Sequence, residues 1–208
     1  DLFSPTNDTG AARPITDADA MVSYMWELIG YSIQPIKDVA TWVLLTGAGA
    51  NGKSTLINIV MALLGPHAAS VQVGDLADTA HGTSILPGKL LVVDEDLDQN
   101  YRLPDGFLKK VSENKPMMAN PKFQHPFSFE NTAIIWMASN SIPLTRDLTT
   151  GMMRRAHVVP FMRHFRDHEQ DHGLARKIIR SELPGVLAGA VGGLQRVRVR
   201  GGVELARA

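Results

Sequence analysis

The sequence predicts an α/β domain with a central, mostly parallel sheet flanked by helices and carrying a hairpin insertion. Three observations predict it. The glycine-rich stretch GAGANGKST, Gly47 to Thr55, stands between a short β-rich apolar run and an amphipathic helical pattern. Two later apolar runs, KLLVVDED and NTAIIWMASN, each end in polar functional groups. The strand-like runs alternate with helical segments, and such alternation builds a parallel sheet whose site lies at the carboxyl ends of its strands.

Composition sets the frame for these elements. At 208 residues, 44% apolar and 20% charged, the chain has the make-up of one folded domain, without the charge excess of a disordered segment. Lysine plus arginine balances aspartate plus glutamate at 21 each, so any contact with a polyanion must be local. There is no cysteine, which excludes disulfides, thiolate metal sites and a cysteine nucleophile and accords with a reducing cytoplasm. No run is apolar enough to span a membrane, and the opening DLFSPTNDTG lacks a signal-peptide pattern. It also lacks an initiator methionine, and the expectation is a piece of a longer protein.

Taken in order, residues 1–18 are polar, with Pro5, Gly10 and Pro14, and read as a linker or arm. In DADAMVSYMWELIGYSI, Met21, Met25, Leu28 and Ile29 recur at helical spacing behind aspartate caps, with Gly30 and Pro35 as the stop. TWVLLTG is a first strand. KSTLINIVMALLG is a helix that turns Leu56, Ile59, Val60 and Leu63 inward. KLLVVDED, NTAIIWMASN and AHVVPF supply further strands. Between the first two of these lie a helix, PDGFLKKVSE, and a hairpin, NKPMMANPKFQHPFSF, turning near Asn120 and Pro121. DHGLARKIIRSELPGVLAGAVGGLQ reads as two helical pieces broken at Pro184. The last segment, 196–208, reads as a strand or tail: RVRVR alternates and puts Arg196, Arg198 and Arg200 on one face of a charged edge.

Gly47 to Ser54 satisfy G-x-x-x-x-G-K-[ST] at every fixed position. Gly47, Ala48, Gly49, Ala50, Asn51 and Gly52 turn backbone N–H groups onto phosphate oxygens, Lys53 adds a point charge, and Ser54, followed by Thr55, opens the helix and can hold Mg²⁺. ATP with Mg²⁺ is the implied ligand. A chance glycine-rich turn is the plainer reading, and the strand before and helix after weigh against it. Asp94 and Glu95, with Asp96 behind them, end the second strand. One carboxylate there, Asp94 or Glu95, would share the Mg²⁺ with Ser54, and a neighbour would orient or deprotonate a water; the plainer alternative is a solvated acidic turn. Asn140 at the tip of the third strand can donate to a phosphate and accept from a water, although asparagine is also common in turns.

Arg154 and Arg155 precede the fourth strand, one placed for structure and one for a phosphate, against two solvated arginines on a loop. Lys115, Lys122 and His125 lie on or near the hairpin, with Lys109 and Lys110 upstream, and can meet a nucleic-acid backbone if they are more than a charged loop. His164, His168 and His172 recur every four residues, as zinc ligands would, but their surroundings are polar throughout and a solvated segment is expected. The Met117–Met118 and Met152–Met153 pairs read as packing residues.

The succession of strand, phosphate loop, acid-tipped strand, lysine-bearing hairpin, Asn-tipped strand and GMMRRAHVVPF resembles the superfamily 3 helicases. The resemblance is strongest to the C-terminal ATPase domain of phage and plasmid primase-helicases, relatives of the poxvirus type. It rests on GAGANGKST, LPGKLLVVDED, ASNSIPLTRDLTTGMMRRAHVVPF and SELPGVLAGAVGGL, and it places the domain at 19–195. It implies a ring-shaped, hexameric motor of AAA+ type tracking 3′ to 5′ on single-stranded DNA in a bacterial host cytoplasm, with ATP between subunits. Lys53, Ser54, Asp94, Glu95 and Asn140 would lie on one side and an arginine finger on the other, Arg155 fitting that position better than Arg154. The hairpin around Lys122 would point into the channel. Three consecutive acids stand where the family has one dominant acid, so the assignment stays open among Asp94, Glu95 and Asp96. Met153 replaces the family's tryptophan. A priming half, if there is one, lies upstream. Two other readings compete: a small-molecule P-loop kinase, which needs an acceptor pocket and a cationic lid, and a non-catalytic DNA-binding module that uses nucleotide to lock an assembly.

Overall fold

The computed structural model describes residues 18–98, 100–113 and 115–203. Seven helices and seven strands follow one another along these residues: α1 (Ala18–Ser32), β1 (Trp42–Thr46), α2 (Lys53–Leu64), β2 (Ala68–Ser70), α3 (Val73–Asp78), β3 (Leu91–Leu97), α4 (Asp105–Ser112), β4 (Pro116–Ala119), β5 (Phe127–Glu130), β6 (Ile134–Ser139), α5 (Thr150–Met153), β7 (Ala156–Pro160), α6 (Leu174–Ser181) and α7 (Leu183–Arg200). Five strands form one parallel sheet in the order β2-β3-β6-β1-β7, and β4 and β5 form a separate antiparallel hairpin. The expected α/β architecture with a hairpin insertion is the observed one.

Every residue of β6 is buried, as are the first four of β1. Continuous apolar runs of this kind suit a sheet covered on both faces. Alternation along the strands divides the core in two. Val43, Leu45, Val93, Trp136 and Val159 face α1, α2 and α7, whereas Trp42, Leu44, Val92, Ile135 and Met137 face α3, α4 and the hairpin residue Met117. Of the inward residues expected on α2, Ile59 and Val60 are buried and Leu56 and Leu63 half-buried; Ile57 and Leu64 complete the face. The edge strand β2 had no signal in the sequence, because three residues are too few to show a period.

Two expectations are corrected. Gly30 does not stop α1, which runs on to Ser32. A Cβ on Gly30 would lie 2.2 Å from the Ala190 carbonyl oxygen, and one on Gly193 would lie 2.0 Å from that of Trp26. These glycines let α1 and α7 touch backbone to backbone, so they serve packing rather than termination. The turn after α1 is closed by Lys37, whose buried ammonium donates to the carbonyls of Gln34 (2.6 Å) and Tyr31 (2.7 Å).

The second correction concerns RVRVR, which is the end of α7 and not a strand, so the expected boundary at residue 196 falls inside a helix. The reason is tertiary. Glu27 is a buried carboxylate on α1; Arg200 grips it with two bonds of 2.9 and 3.0 Å, and Arg196, one turn earlier, reaches it at 3.3 Å. Spacing by four places both arginines over one acid, which spacing by two in a strand does not. Arg198 points elsewhere, to Gln34 at 2.7 Å, and Val197 enters the core while Val199 stays in solvent. Of the arm expected over residues 1–18, Ala18 begins α1 and residues 1–17 lie outside the described residues, as do residues 204–208 of the expected tail. Among the described residues no helix is long and apolar enough to cross a membrane.

His157 on β7 is buried, with Nδ1 hydrogen-bonded to Tyr24 Oη at 2.5 Å and Nε2 without a hydrogen-bond partner among the described residues. Burial pushes its pKa from 6.5 down to about 4. Between those values the unfolded chain binds a proton that the folded chain refuses, so stability falls as pH drops from about 6.5 to 4, by about 3 kcal/mol in all. Denaturant melts of wild type and His157→Gln across that window check this, the variant losing the matching part of the slope. The glycine contacts give a paired prediction. Gly193→Ala destabilises by about 2 kcal/mol, because overpacking against backbone outweighs the gain in helix propensity. Gly192→Ala, whose new methyl meets only Arg196 at 3.8 Å, raises stability by up to about 1 kcal/mol.

Candidate functional site

The carboxyl ends of β1, β3 and β6 converge on one open cleft of about 460 Å³, lined by Gly49 to Thr55, Glu95, Asp96, Ser139 and Asn140. The phosphate loop leaves β1 at Gly47 and feeds α2 at Lys53. Its turn needs left-handed backbone at Ala50 (φ 56°) and Gly52 (φ 93°). Gly47 combines φ 142° with a position where a Cβ would lie 2.3 Å from the Phe161 carbonyl oxygen, so no other residue fits.

A strap that the sequence reading missed holds the loop from outside. Phe161 N donates to Thr46 O (2.7 Å), Asn51 Nδ2 donates to Phe161 O (3.2 Å), and Phe165 N donates to Ala50 O (2.8 Å). His164 Nδ1 lies 3.0 Å from Gly49 O. Only pairing of β7 beside β1 brings Phe161–Phe165 to the loop, so no local signal marks it. His168 and His172 are exposed, and among the described residues no cluster of three or more histidines or acids is arranged for a metal.

Lys53 is nearly buried. Its ammonium donates to Gly47 O, to Asn51 Oδ1 at 3.2 Å and to Asn140 Oδ1 at 3.2 Å. Burial lowers its pKa, and the nearby Asp96 charge works against that shift. The bond to Asn140 ties the loop to the tip of β6, with Gly47 N donating to Ser139 O (3.3 Å) beside it.

The three acids of β3 part company. A regular strand sends Asp94 and Asp96 to one face and Glu95 to the other. Here β3 carries one extra residue against β6 between Asp94 and Leu97, and this bulge turns both Glu95 and Asp96 toward the cleft. Asp94 is not in the lining. Its buried carboxylate accepts from Val73 N at 2.7 Å, at the start of α3, and burial raises its pKa. Of the three acids among which the sequence leaves the assignment open, Glu95 and Asp96 line the cleft and Asp94, one of the first-choice pair, does not.

The arginine pair lies at the opposite end of the sheet. Arg155 O accepts from Trp42 N (2.8 Å), at the first residue of β1, while the cleft opens beyond the last. At about 3.3 Å per residue, the strand separates the pair from its own cleft by roughly 15 Å. Arg155 is buried and bonds to Glu113 and to Gly151 O; Arg154 is exposed and makes no ion pair among the described residues. Of the pair, Arg155, the member the resemblance favours as the finger, is thus the inward one and Arg154 the outward one. Glu113 is shared with Lys115 (2.5 Å), and Lys115 and Arg155 hold its pKa low. Lys122 and His125 stand exposed on the hairpin tip, away from the cleft lining.

The donors fit a nucleoside triphosphate with its magnesium. The N-terminus of α2, Lys53, Ser54 and two acids, Glu95 and Asp96, line the same cleft, a donor set that suits phosphates and an ion that takes most of its ligands from phosphate and water.

Comparison with known proteins agrees with this architecture. The C-terminal region of NrS-1 superposes with a TM-score of 0.64 at 15% identity, over 93% of this chain and 51% of that one. JCV helicase superposes with a TM-score of 0.51 at 14% identity, over 87% of this chain and 61% of that one. In sequence, a protein of Acanthamoeba polyphaga mimivirus, named "Putative helicase", is 23% identical over 171 residues, 79% of this chain and 18% of that protein. The chain thus spans about half of the NrS-1 region and a smaller share of the viral protein. The model described as "Family of unknown function (DUF5906)" matches residues 45–155, from β1 through the arginine pair and over more than half of the chain, and the protein belongs to the DUF5906 family.

Proposed function

We propose that this domain is the ATP-driven helicase module of a phage, prophage or plasmid replication protein. It acts in the cytoplasm of a bacterial host as a ring, six copies by resemblance, moving 3′ to 5′ on single-stranded DNA. A priming domain upstream would complete the protein. The observation that carries the reading is the meeting of Lys53, Asn140, Glu95 and Asp96 in one cleft, with the arginine pair on the far edge of the same sheet.

The roles follow from placement. Lys53 and the loop N–H groups bind the phosphates; on binding, the ammonium exchanges its contacts with Gly47 O, Asn51 and Asn140 for phosphate oxygens. Ser54 and Asp96, the acid whose charge is felt at Lys53, would hold the magnesium ion, which when bound would supply positive charge to the phosphates. Glu95 orients the attacking water and takes its proton. Asn140, released from Lys53, aligns the same water. Asp94 anchors α3 behind the bulge. Arg154 is the group offered to the neighbouring subunit's nucleotide, because it is exposed, makes no ion pair among the described residues and lies at the far end of β1 from its own cleft, while Arg155 secures the loop that presents it.

ATPase assays with single-stranded DNA test these roles. Lys53→Ala abolishes turnover. Glu95→Gln lowers it about 10²- to 10⁴-fold while nucleotide still binds. Asp94→Asn stays within about tenfold of wild type and instead costs about 1 kcal/mol in a melt; a loss equal to that of Glu95→Gln would return Asp94 to the chemistry. Arg154→Ala loses about 10³- to 10⁵-fold alone, yet mixing it with Lys53→Ala subunits restores part of the activity, since some seams receive one intact half from each. No rescue at any ratio refutes a shared site. Nucleotide-dependent assembly without turnover would favour the locking module, and phosphate transfer to a small acceptor the kinase.

A further inference from the structure

Phe123 sits at the hairpin tip with its side chain fully exposed (104% of the reference area) and its backbone at φ 61°. Both features are unfavourable for an isolated domain. A bulky residue is disfavoured in left-handed backbone, and an exposed ring contributes no burial. The placement is nevertheless held. Thr83 Oγ1 donates to Met118 O at 2.7 Å, and His81 Nδ1 bonds to Asn120 O, so the hairpin is fastened to the turn over Gly82–Ile85 just below its tip. Met117 on β4 is buried in the core and fixes the other side.

The surroundings of the ring point to the kind of partner. From Lys115 to Phe129 there is no acidic residue, although acids and bases balance in the chain as a whole. Lys122 adjoins Phe123, His125 follows two residues later, and all three are exposed. A cation beside an unburied aromatic ring suits a strand that offers phosphates and open base faces together. A duplex hides those faces by stacking, and a protein partner would not need an acid-free rim.

We infer that Phe123 is a base-stacking residue for single-stranded nucleic acid, with Lys122 and His125 holding the adjoining phosphates. The inference rests on the reading above that this hairpin meets DNA, and adds that the contact is with the bases as well as the backbone. Every base has a stacking face, so the contact tolerates any sequence, as a translocating protein requires.

Anisotropy titrations of the whole chain, with a non-hydrolysable ATP analogue and Mg²⁺, separate the two levels. The probes are a labelled oligothymidylate and an abasic oligonucleotide of equal length. Phe123→Ala is expected to weaken oligothymidylate binding about 5- to 100-fold and to leave abasic binding unchanged, while Phe123→Trp retains affinity for both. Lys122→Ala is expected to weaken both and to reduce the salt slope by about one. Equal affinity of Phe123→Ala and wild type for oligothymidylate, or equal losses on both probes, overturns the stacking role while leaving the hairpin as a backbone contact. Failure of wild type to bind either probe overturns the inference together with the reading beneath it. A change in oligomeric mass of Phe123→Ala without DNA, at unaltered DNA affinity, overturns it in favour of a contact between subunits.

Discussion

The buried ammonium of Lys53 is the constraint around which the rest of the site is arranged. A charge taken out of water must find compensating dipoles, and this one finds Gly47 O, Asn51 Oδ1 and Asn140 Oδ1, all neutral oxygens. Neutral hydrogen-bond partners leave the ammonium free to exchange them for phosphate oxygens, while Glu95 and Asp96 line the same cleft. The three oxygens also come from different parts of the fold: two from the loop after β1 and one from the tip of β6. Adjacency of those strands in the sheet is therefore a condition of the site, and the continuous burial of β1 and β6 secures it.

A second geometric decision is made in β3. Three consecutive acids cannot all face one cleft from a regular strand. The bulge selects Glu95 and Asp96 and leaves Asp94 to cap α3. On the other side of the loop, the Phe161–Phe165 strap fixes the loop's outer wall from β7. Since β7 begins at the arginine pair and ends at the strap, one strand links those arginines with the wall of the cleft. The five residues of β7 are all that separate Arg154 and Arg155 from the strap on the phosphate loop.

Much of this was legible in the sequence. The loop motif, the four longer strands of the sheet, the hairpin and the Asn140 tip are local patterns, written in consecutive residues. What escaped was decided by partners distant in the chain. RVRVR alternates, yet buried Glu27 makes it helical through Arg196 and Arg200. Gly30 reads as a stop, yet α7 uses it as a contact surface. Arg155 reads as the reaching arginine, yet Glu113 buries it and leaves Arg154 outside. The strap and β2 had no pattern to read, one because it works through backbone groups and the other because it is too short.

On the proposed reading, the separation of the exposed arginine from its own cleft makes the active site a property of two subunits rather than one. The most direct measurement is specific ATPase activity across a dilution series, with the mass distribution followed by sedimentation in the same buffer with single-stranded DNA. A composite site predicts that activity per chain collapses as assemblies dissociate and tracks the assembled fraction. Undiminished activity per chain in a solution shown to contain only monomers would contradict the account.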